Sequence, residues 1–435
     1  MRRRSNDGRK KVDDVDDKET DVNDAQPRRD SLNDKLPTTA GLSRRHFIGQ
    51  GIAATAGLAG LSTIGFSTAQ ASPKKPEPAR YIGDKVGIEN VRKIYSAPKG
   101  ETLKYCGWPD IAFWQDKYYV IFSRKTRHIA SPRTGPGLVV IESTDLENWS
   151  ETVLSDFSKS YRGETNGDDR DAKLFATPDR LFAINIPYPH DGHISYTDDG
   201  KNWSEWKQIY PAGENIKSGQ LYGAQCWRPK EYKGVYYLPC DYQNDRVDLL
   251  KSTDMLNWEL AGTIMSGGKH EHSRVASETE IVFLEDGRCV AFTRLNEVPS
   301  PSSPENTLPG YSIASPPYTS WEFKLGSWLR FGGPAAHRFG DTTLVIARAE
   351  LGEQPGYWNL PMEDGWRWAH RTALYTFNVD KMRLEQQLLL PTEYARDNSY
   401  AGILPTGENS AVIVWYDGNT IDTSDIWMAN LTVKS

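Results

Sequence analysis

One recurring unit governs this sequence: a short strand enters a polar turn, a second strand follows, then a loop, a third strand and a turn that carries Asp and closes on Trp. In the first copy Ile111-Ala112-Phe113, the turn Gln115-Asp116 and Tyr118 to Arg124 lead to Leu138 to Glu142 and Ser143-Thr144-Asp145-Leu146-Glu147-Asn148-Trp149. Lys173 to Ala176 and Arg180 to Ile186 repeat it, ending in Thr197-Asp198-Asp199-Gly200-Lys201-Asn202-Trp203. The third copy has Val235 to Cys240, Val247 to Lys251 and Ser252-Thr253-Asp254-Met255-Leu256-Asn257-Trp258. A fourth runs from Glu280 to Leu284 through Arg288 to Arg294 and Tyr311 to Ala314 to Trp321. The fifth has Ala335 to Phe339, Leu344 to Arg348 and Thr372 to Phe377, and the sixth Ala401 to Leu404, Ala411 to Tyr416 and Ile426 to Asn430.

Residues in these runs alternate β-branched or aromatic with polar, Gly, Asp, Asn and Pro interrupt them, and no helical apolar period outlasts two turns. Six copies at a spacing of about 55 residues predict an all-β fold, a six-bladed β-propeller over residues 80–435. A small sheet cannot hide both faces alone, so copies pack radially and the ring closes by sharing strands between the chain ends. Val86 to Ile94 is the expected closing strand.

The propeller leaves a leader to account for. Residues 1–42 carry mixed charge and almost no large apolar side chains, which predicts a disordered extension. Ser43-Arg44-Arg45-His46-Phe47-Ile48, the Gly/Ala-rich apolar run Gly49 to Phe66 and Ala69-Gln70-Ala71 read as a twin-arginine signal peptide over 43–71. The expected destination is the periplasm or the exterior, with membrane contact only transient, through the signal. The apolar run taken alone also reads as an anchor. Cys106, Cys226, Cys240 and Cys289 form no CxxC, which excludes a zinc ribbon, while Cys226 and Cys240 could face each other across adjacent strands. The net charge is −6 with basic residues dispersed after the leader, so nucleic acid is excluded as a partner. No metal-ligand spacing, phosphate loop or Ser-His-Asp order stands out, and the expectation is a monomer with no cofactor that takes a carbohydrate.

In a propeller the start of each inner strand and the end of the second share one rim, where the central channel opens. Strand starts place Asp110, Asp169, Arg170, Asp171, Arg228, Glu278, Glu280, His337 and Tyr400 there. Second-strand ends place Arg124, His128, Asn185, His190, Asp241, Arg294, Arg348, Tyr416 and Asp417 there. Arg124, Arg294 and Arg348 each end a second strand, and converging guanidinium groups make a receptor for carboxylate or sulfate.

The Asp-to-Trp turns resemble the Asp-box, a structural hairpin. Ser277-Glu278-Thr279-Glu280-Ile281-Val282-Phe283-Leu284-Glu285-Asp286-Gly287-Arg288, continuing to Arg294, looks like sialidases, in which Glu, Asp-Gly and Arg stand at this spacing. That resemblance implies that Glu278 activates a tyrosine nucleophile and Arg294 binds a substrate carboxylate. Arg371-Thr372-Ala373-Leu374 and Asn398-Ser399-Tyr400-Ala401 are similar to the family's next arginine and its Tyr-Ser stretch, which nominates Arg371 and Tyr400. A phenol with pKa near ~10 attacks only if a neighbouring carboxylate takes its proton, so the pairing is chemically coherent.

The first copy departs from the family: Trp108-Pro109-Asp110-Ile111 stands where sialidases have Arg-Ile-Pro, and the loop Lys125 to Gly137 holds no Asp to act as acid. His128 in that loop is the alternative acid or base. Asp168-Asp169-Arg170-Asp171-Ala172-Lys173 is similar to the Arg-Asp-Pro stretch of five-bladed furanosidases such as invertases, where the Asp contacts sugar hydroxyls. Asp171, with Asp110 and Glu278, would complete a three-carboxylate site, Arg170 lying beside it. The leading expectation is an exo-glycosidase that cuts a terminal, carboxylated sugar. A polysaccharide lyase acting on uronates and a non-catalytic glycan-binding propeller with Trp108, Trp227, Trp368 and Trp415 on its rim are the alternatives.

Overall fold

The computed structural model describes residues 81–128, 136–156, 168–188, 192–213, 224–242, 246–266, 275–296, 308–326, 331–350, 370–394, 397–418 and 423–434. The expected extension and signal peptide, His190 and Trp368 lie outside them, and so do the side chains of Asp169 and Arg170.

Among the described residues the regular elements are strands. β1 (Tyr81–Ile82) and β2 (Val86–Tyr95) precede β3 (Tyr105–Trp114), β4 (Lys117–Lys125), β5 (Pro136–Ser143) and β6 (Ser150–Asp156). β7 (Asp168–Ala176), β8 (Leu181–Tyr188), β9 (His193–Thr197) and β10 (Lys207–Gln208) form a second unit. The third is β11 (Ala224–Cys226), β12 (Lys230–Tyr232), β13 (Val235–Tyr242), β14 (Arg246–Ser252) and β15 (Glu259–Ser266). β16 (Val275–Phe283), β17 (Cys289–Asn296), β18 (Leu308–Ala314) and β19 (Glu322–Leu325) follow, then β20 (Ala335–Phe339), β21 (Thr342–Glu350), β22 (His370–Asn378) and β23 (Arg383–Leu389). β24 (Asp397–Gly407), β25 (Ser410–Gly418) and β26 (Ser424–Val433) complete the chain.

The architecture is an all-β propeller, but its sheets do not number six. The second to fifth units are four separate antiparallel sheets, while β1, β2, β24, β25 and β26 are joined to β3, β4, β5 and β6 in one nine-stranded sheet. The join is narrow. β26 is paired along its length with β25 on one side and β2 on the other, and reaches β3 only through the parallel pair Ser424 and Tyr105. Ser424 Oγ fastens it by accepting the Cys106 N–H at 2.8 Å and donating to the Cys106 carbonyl at 2.6 Å. Such a bridge depends on how neighbouring units dock, which no local pattern reports. β2 pairs with β26 from Val86 opposite Val433 to Tyr95 opposite Ile426, so the N-terminal strand does close onto the C-terminal one.

Continuous apolar runs such as Val120-Ile121-Phe122 on β4 are buried on both faces because each sheet is covered on both sides by its neighbours. Phe292 and Tyr311 of the fourth unit, for instance, pack on Val345, Tyr375 and Phe377 of the fifth, each large side chain contributing roughly 1.5–3 kcal/mol. The Asp turns are built by their carboxylates. Asp145 Oδ1 accepts the N–H groups of Glu147 (2.9 Å) and Asn148 (2.8 Å), and Asp199 and Asp254 repeat the pattern. These donors hold the Asp145 and Asp199 carboxyls well below the usual range, the Asn148 and Asn202 N–H groups foremost. Cys226 and Cys240 face each other in register on β11 and β13, Cα atoms 4.0 Å apart, and are disulfide-bonded; Cys106 and Cys289 are buried thiols.

Candidate active site

The site is made by four bulges. Between Gly107 opposite Ser123 and Asp110 opposite Ile121, β3 carries one more residue than β4. β7 does the same between Arg170 and Lys173, β16 between Ser277 and Thr279, and β24 between Ser399 and Gly402. Each bulge carries a non-glycine residue with a left-handed backbone: Trp108 (φ 57°), Asp171 (52°), Glu278 (42°) and Tyr400 (50°), the last preceded by Ser399 (89°). In the fifth unit Gly333 (φ 58°) plays this part just before β20. Such conformations cost roughly 1–2 kcal/mol each for residues with a Cβ, and bulges re-aim side chains at functional sites.

The outcome is a compact constellation. Tyr400 Oη donates to Glu278 Oε1 at 2.6 Å, Arg294 Nη1 reaches Tyr400 Oη at 3.0 Å and also donates to Glu278 Oε1, and the Gly333 N–H donates to Glu278 Oε2 at 2.7 Å. The Tyr400 ring is enclosed by Trp108, Trp227 and Tyr416, with the Arg348 guanidinium 5.2 Å from its centroid. A Cβ on Gly333 would lie 2.5 Å from Tyr400 Cγ, so glycine is what admits the ring. Burial pushes the Tyr400 phenol well above its ordinary range and the Glu278 charge adds to this, while Arg294 and Arg348 oppose. Glu278 is the carboxylate within hydrogen-bond reach of that phenol.

A second constellation adjoins it. Asp397 Oδ1 accepts Arg348 Nη2 at 2.6 Å and Tyr416 Oη at 2.8 Å, and Oδ2 meets Tyr105 Oη and His128 Nδ1. Burial alone would raise the Asp397 carboxyl, but His128 and Arg348 outweigh it and hold it well below the usual range. The His128 side chain is 29% exposed whereas that of Asp397 is 1% exposed. With Nδ1 committed to Asp397, Nε2 is the nitrogen left for proton transfer, the arrangement by which a carboxylate fixes an imidazole tautomer. Asp397 escaped the sequence reading. Its only signal is its place three residues before Tyr400.

Several nominated residues fall elsewhere. Asp110 is buried beneath the site, where Arg228 Nε and Nη2 bind its carboxylate at 3.0–3.2 Å and its Oδ2 accepts the Leu174 N–H at 3.0 Å, so it is a structural tie rather than a sugar ligand. The bulge at Trp108 causes this, because one extra residue reverses which side chains of β3 face which way. Arg228 and Glu280 belong to the same buried tie, Arg228 Nη1 on Glu280 and Lys230 Nζ 2.7 Å from it. Arg124 pairs instead with Tyr95 Oη (2.6 Å) and Glu151 (2.8 Å), away from Tyr400, so the three arginines do not converge. Arg348 is buried and committed to Asp397, the Asn398 carbonyl and Tyr416, which removes it as an open anion receptor. Trp108, Trp227 and Trp415 are buried and form no aromatic rim; Trp227 Nε1 donates to the Pro334 carbonyl at 2.9 Å. Arg371 stands on β22 opposite Ala349. Asp171 is buried close enough for its charge to act on Tyr400, with Gln225 Nε2 3.5 Å from its Oδ2. Among the described residues no group of three or more His, Cys, Asp or Glu is arranged to hold a metal ion.

No family model matches the sequence, and no characterised protein matches it by sequence. Solved structures do match by shape. A Dyadobacter fermentans protein of unknown function aligns over 79% of this chain and 99% of its own, with TM-score 0.59 and 14% identity. The NanB sialidase of Streptococcus pneumoniae aligns over 79% and 70%, with TM-score 0.52 and 10% identity. The chain has the β-propeller fold of the sialidases. A Trypanosoma rangeli sialidase also matches, with TM-score 0.51 and 12% identity over 79% of this chain and 58% of that one. At such identities the likeness concerns the fold, and the chemistry rests on this chain's own residues.

Proposed function

We propose that the protein is an exported, retaining exo-glycosidase that removes a terminal acidic sugar from a glycan, working as a monomer without a cofactor. The observation that carries this reading is the 2.6 Å hydrogen bond from Tyr400 to Glu278 with Arg294 donating to both. Tyr400 Oη attacks the anomeric carbon as its proton passes to Glu278. His128, oriented by Asp397, protonates the departing glycosidic oxygen, with Asp171 the other candidate acid. Water then attacks the glycosyl-tyrosine, and the proton transfers run in reverse. A neutral nucleophile avoids repulsion by an anionic sugar, and Arg294 is the cation nearest the reacting phenol. The nine-stranded sheet is read as two blades sharing one residue pair, which keeps six units around the axis. Export follows the twin-arginine signal.

The test is a screen of the purified protein against aryl glycosides and acidic polysaccharides, alongside Tyr400→Phe and Glu278→Gln. Both variants are expected to lose roughly 10²–10⁴-fold in rate with the fold intact. Activity retained by Tyr400→Phe would exclude the tyrosine mechanism. A second reading, a uronate lyase, is favoured by the partly exposed His128, whose Nδ1 is held by Asp397 so that Nε2 can take a proton as base. An unsaturated product absorbing in the near ultraviolet, with no hydrolysis, would establish it.

A further inference from the structure

One buried carboxyl beside the site takes no part in the chemistry above. Asp241, near the end of β13, is 3% exposed, and among the described residues its Oδ1 has no hydrogen-bond partner. The Glu278 backbone N–H is directed at its carboxyl, a contact created by the left-handed turn of the chain at Glu278. Gln225, its register partner on β11, is the residue whose amide lies 3.5 Å from Asp171. Asp171 on β7 and Glu278 on β16 therefore lie close enough to Asp241 on β13 for their charges to act on it, a three-carboxyl group.

Like charges desolvated together oppose one another's ionisation, which favours keeping a proton in the group. The surroundings decide where. Glu278 has the Arg294 guanidinium and the Gly333 N–H, and Asp171 has the charge of Lys173 nearby. Among the described residues Asp241 is faced by acid on β16 (Glu278) and β7 (Asp171), by the neutral Gln225 on β11, and by the apolar Val247 opposite it on β14.

We propose that Asp241 is a positioning residue that carries the proton of this three-carboxyl group at neutral pH, leaving Glu278 to receive the Tyr400 proton. Burial first, then the charges of Glu278 and Asp171, push the Asp241 carboxyl well above the usual range. When Asp241 finally ionises, new negative charge beside Glu278 opposes formation of the phenolate, so activity falls on the alkaline side. The role rests on the glycosidase reading, but the proton can be observed without it.

The experiment is infrared difference spectroscopy of the full chain at neutral pH, wild type minus Asp241→Asn, repeated with Glu278→Gln across a pH titration. A protonated-carboxyl C=O band is expected to vanish in Asp241→Asn. Its titration midpoint should move down by about one pH unit or more in Glu278→Gln, where a like charge is gone. Absence of such a band in the wild type, or a midpoint that Glu278→Gln leaves in place, overturns the proposal and leaves the hydrolase reading untouched. If Asp241→Asn does not fold, the Glu278→Gln shift carries the test alone. On the aryl glycoside that wild type turns over, Asp241→Asn should displace the alkaline limb of kcat/KM upward, and an unmoved limb refutes the positioning role.

Discussion

Replacing Arg228 by Met tests whether the charges beneath the site hold the inner strands together. Its guanidinium binds Asp110 by three contacts of 3.0–3.2 Å, pairs with Glu280, and donates to the Ala401 carbonyl at 2.9 Å, next to Tyr400 in sequence. Removing one partner from a buried ion pair costs roughly 3–5 kcal/mol, because the charge left behind has been stripped of water. Here Lys230 still faces Glu280 at 2.7 Å, so the loss concentrates on Asp110, which is 2% exposed, and the lower figure of about 3 kcal/mol applies. At about 2 °C per kcal/mol for a domain of this size, Tm should fall by about 6 °C in calorimetry at pH 7. Adding Asp110→Asn to Arg228→Met should restore about 1 kcal/mol or more, since the orphaned charge is then gone. A single variant melting within a degree of wild type, or a double variant less stable than the single, would refute the reasoning.

Gly333→Ala should lose activity far beyond its stability loss of about 1–2 kcal/mol for a left-handed residue, because the new methyl would meet the Tyr400 ring; kcat/KM beside Tm checks this. Lys173 is fully buried over the Trp227 ring, and burial lowers its ammonium to about 8. The unfolded chain, with a lysine pKa of about 10.4, binds more protons between those values, so stability rises with pH across that window by up to about 3 kcal/mol. That contribution is complete above the unfolded value and is lost as pH falls toward 8. Melting curves of Lys173→Met should lack the rise. Replacing Cys226 and Cys240 together by Ala opens a loop of 14 residues' separation and should cost about 3 kcal/mol, measured by denaturant unfolding; an unchanged midpoint would show that the bond does not constrain the unfolded chain.

The all-β character, the hairpins and the Asp turns were legible because each is decided within a few residues: alternation sets the strand, and Asp145 caps a turn with donors two and three residues away. Tyr400, Glu278 and Arg294 were legible through a resemblance in spacing, although 122 residues separate the two that share a proton. His128 was legible only as a suspicion, and Asp397, which gives it an orientation 269 residues along the chain, was not. Asp110 looked like a ligand and is a buried tie, and Arg124 looked like part of a clamp and is not, because a strand's facing depends on bulges and on which sheet docks against it. Local chemistry, which the sequence determines alone, made the strands and supplied the reactive groups. The register shifts and the burial of opposed charges, which decide which groups meet and which keep a proton, came only from packing the sheets together, since desolvation and distance exist only once distant segments are in contact.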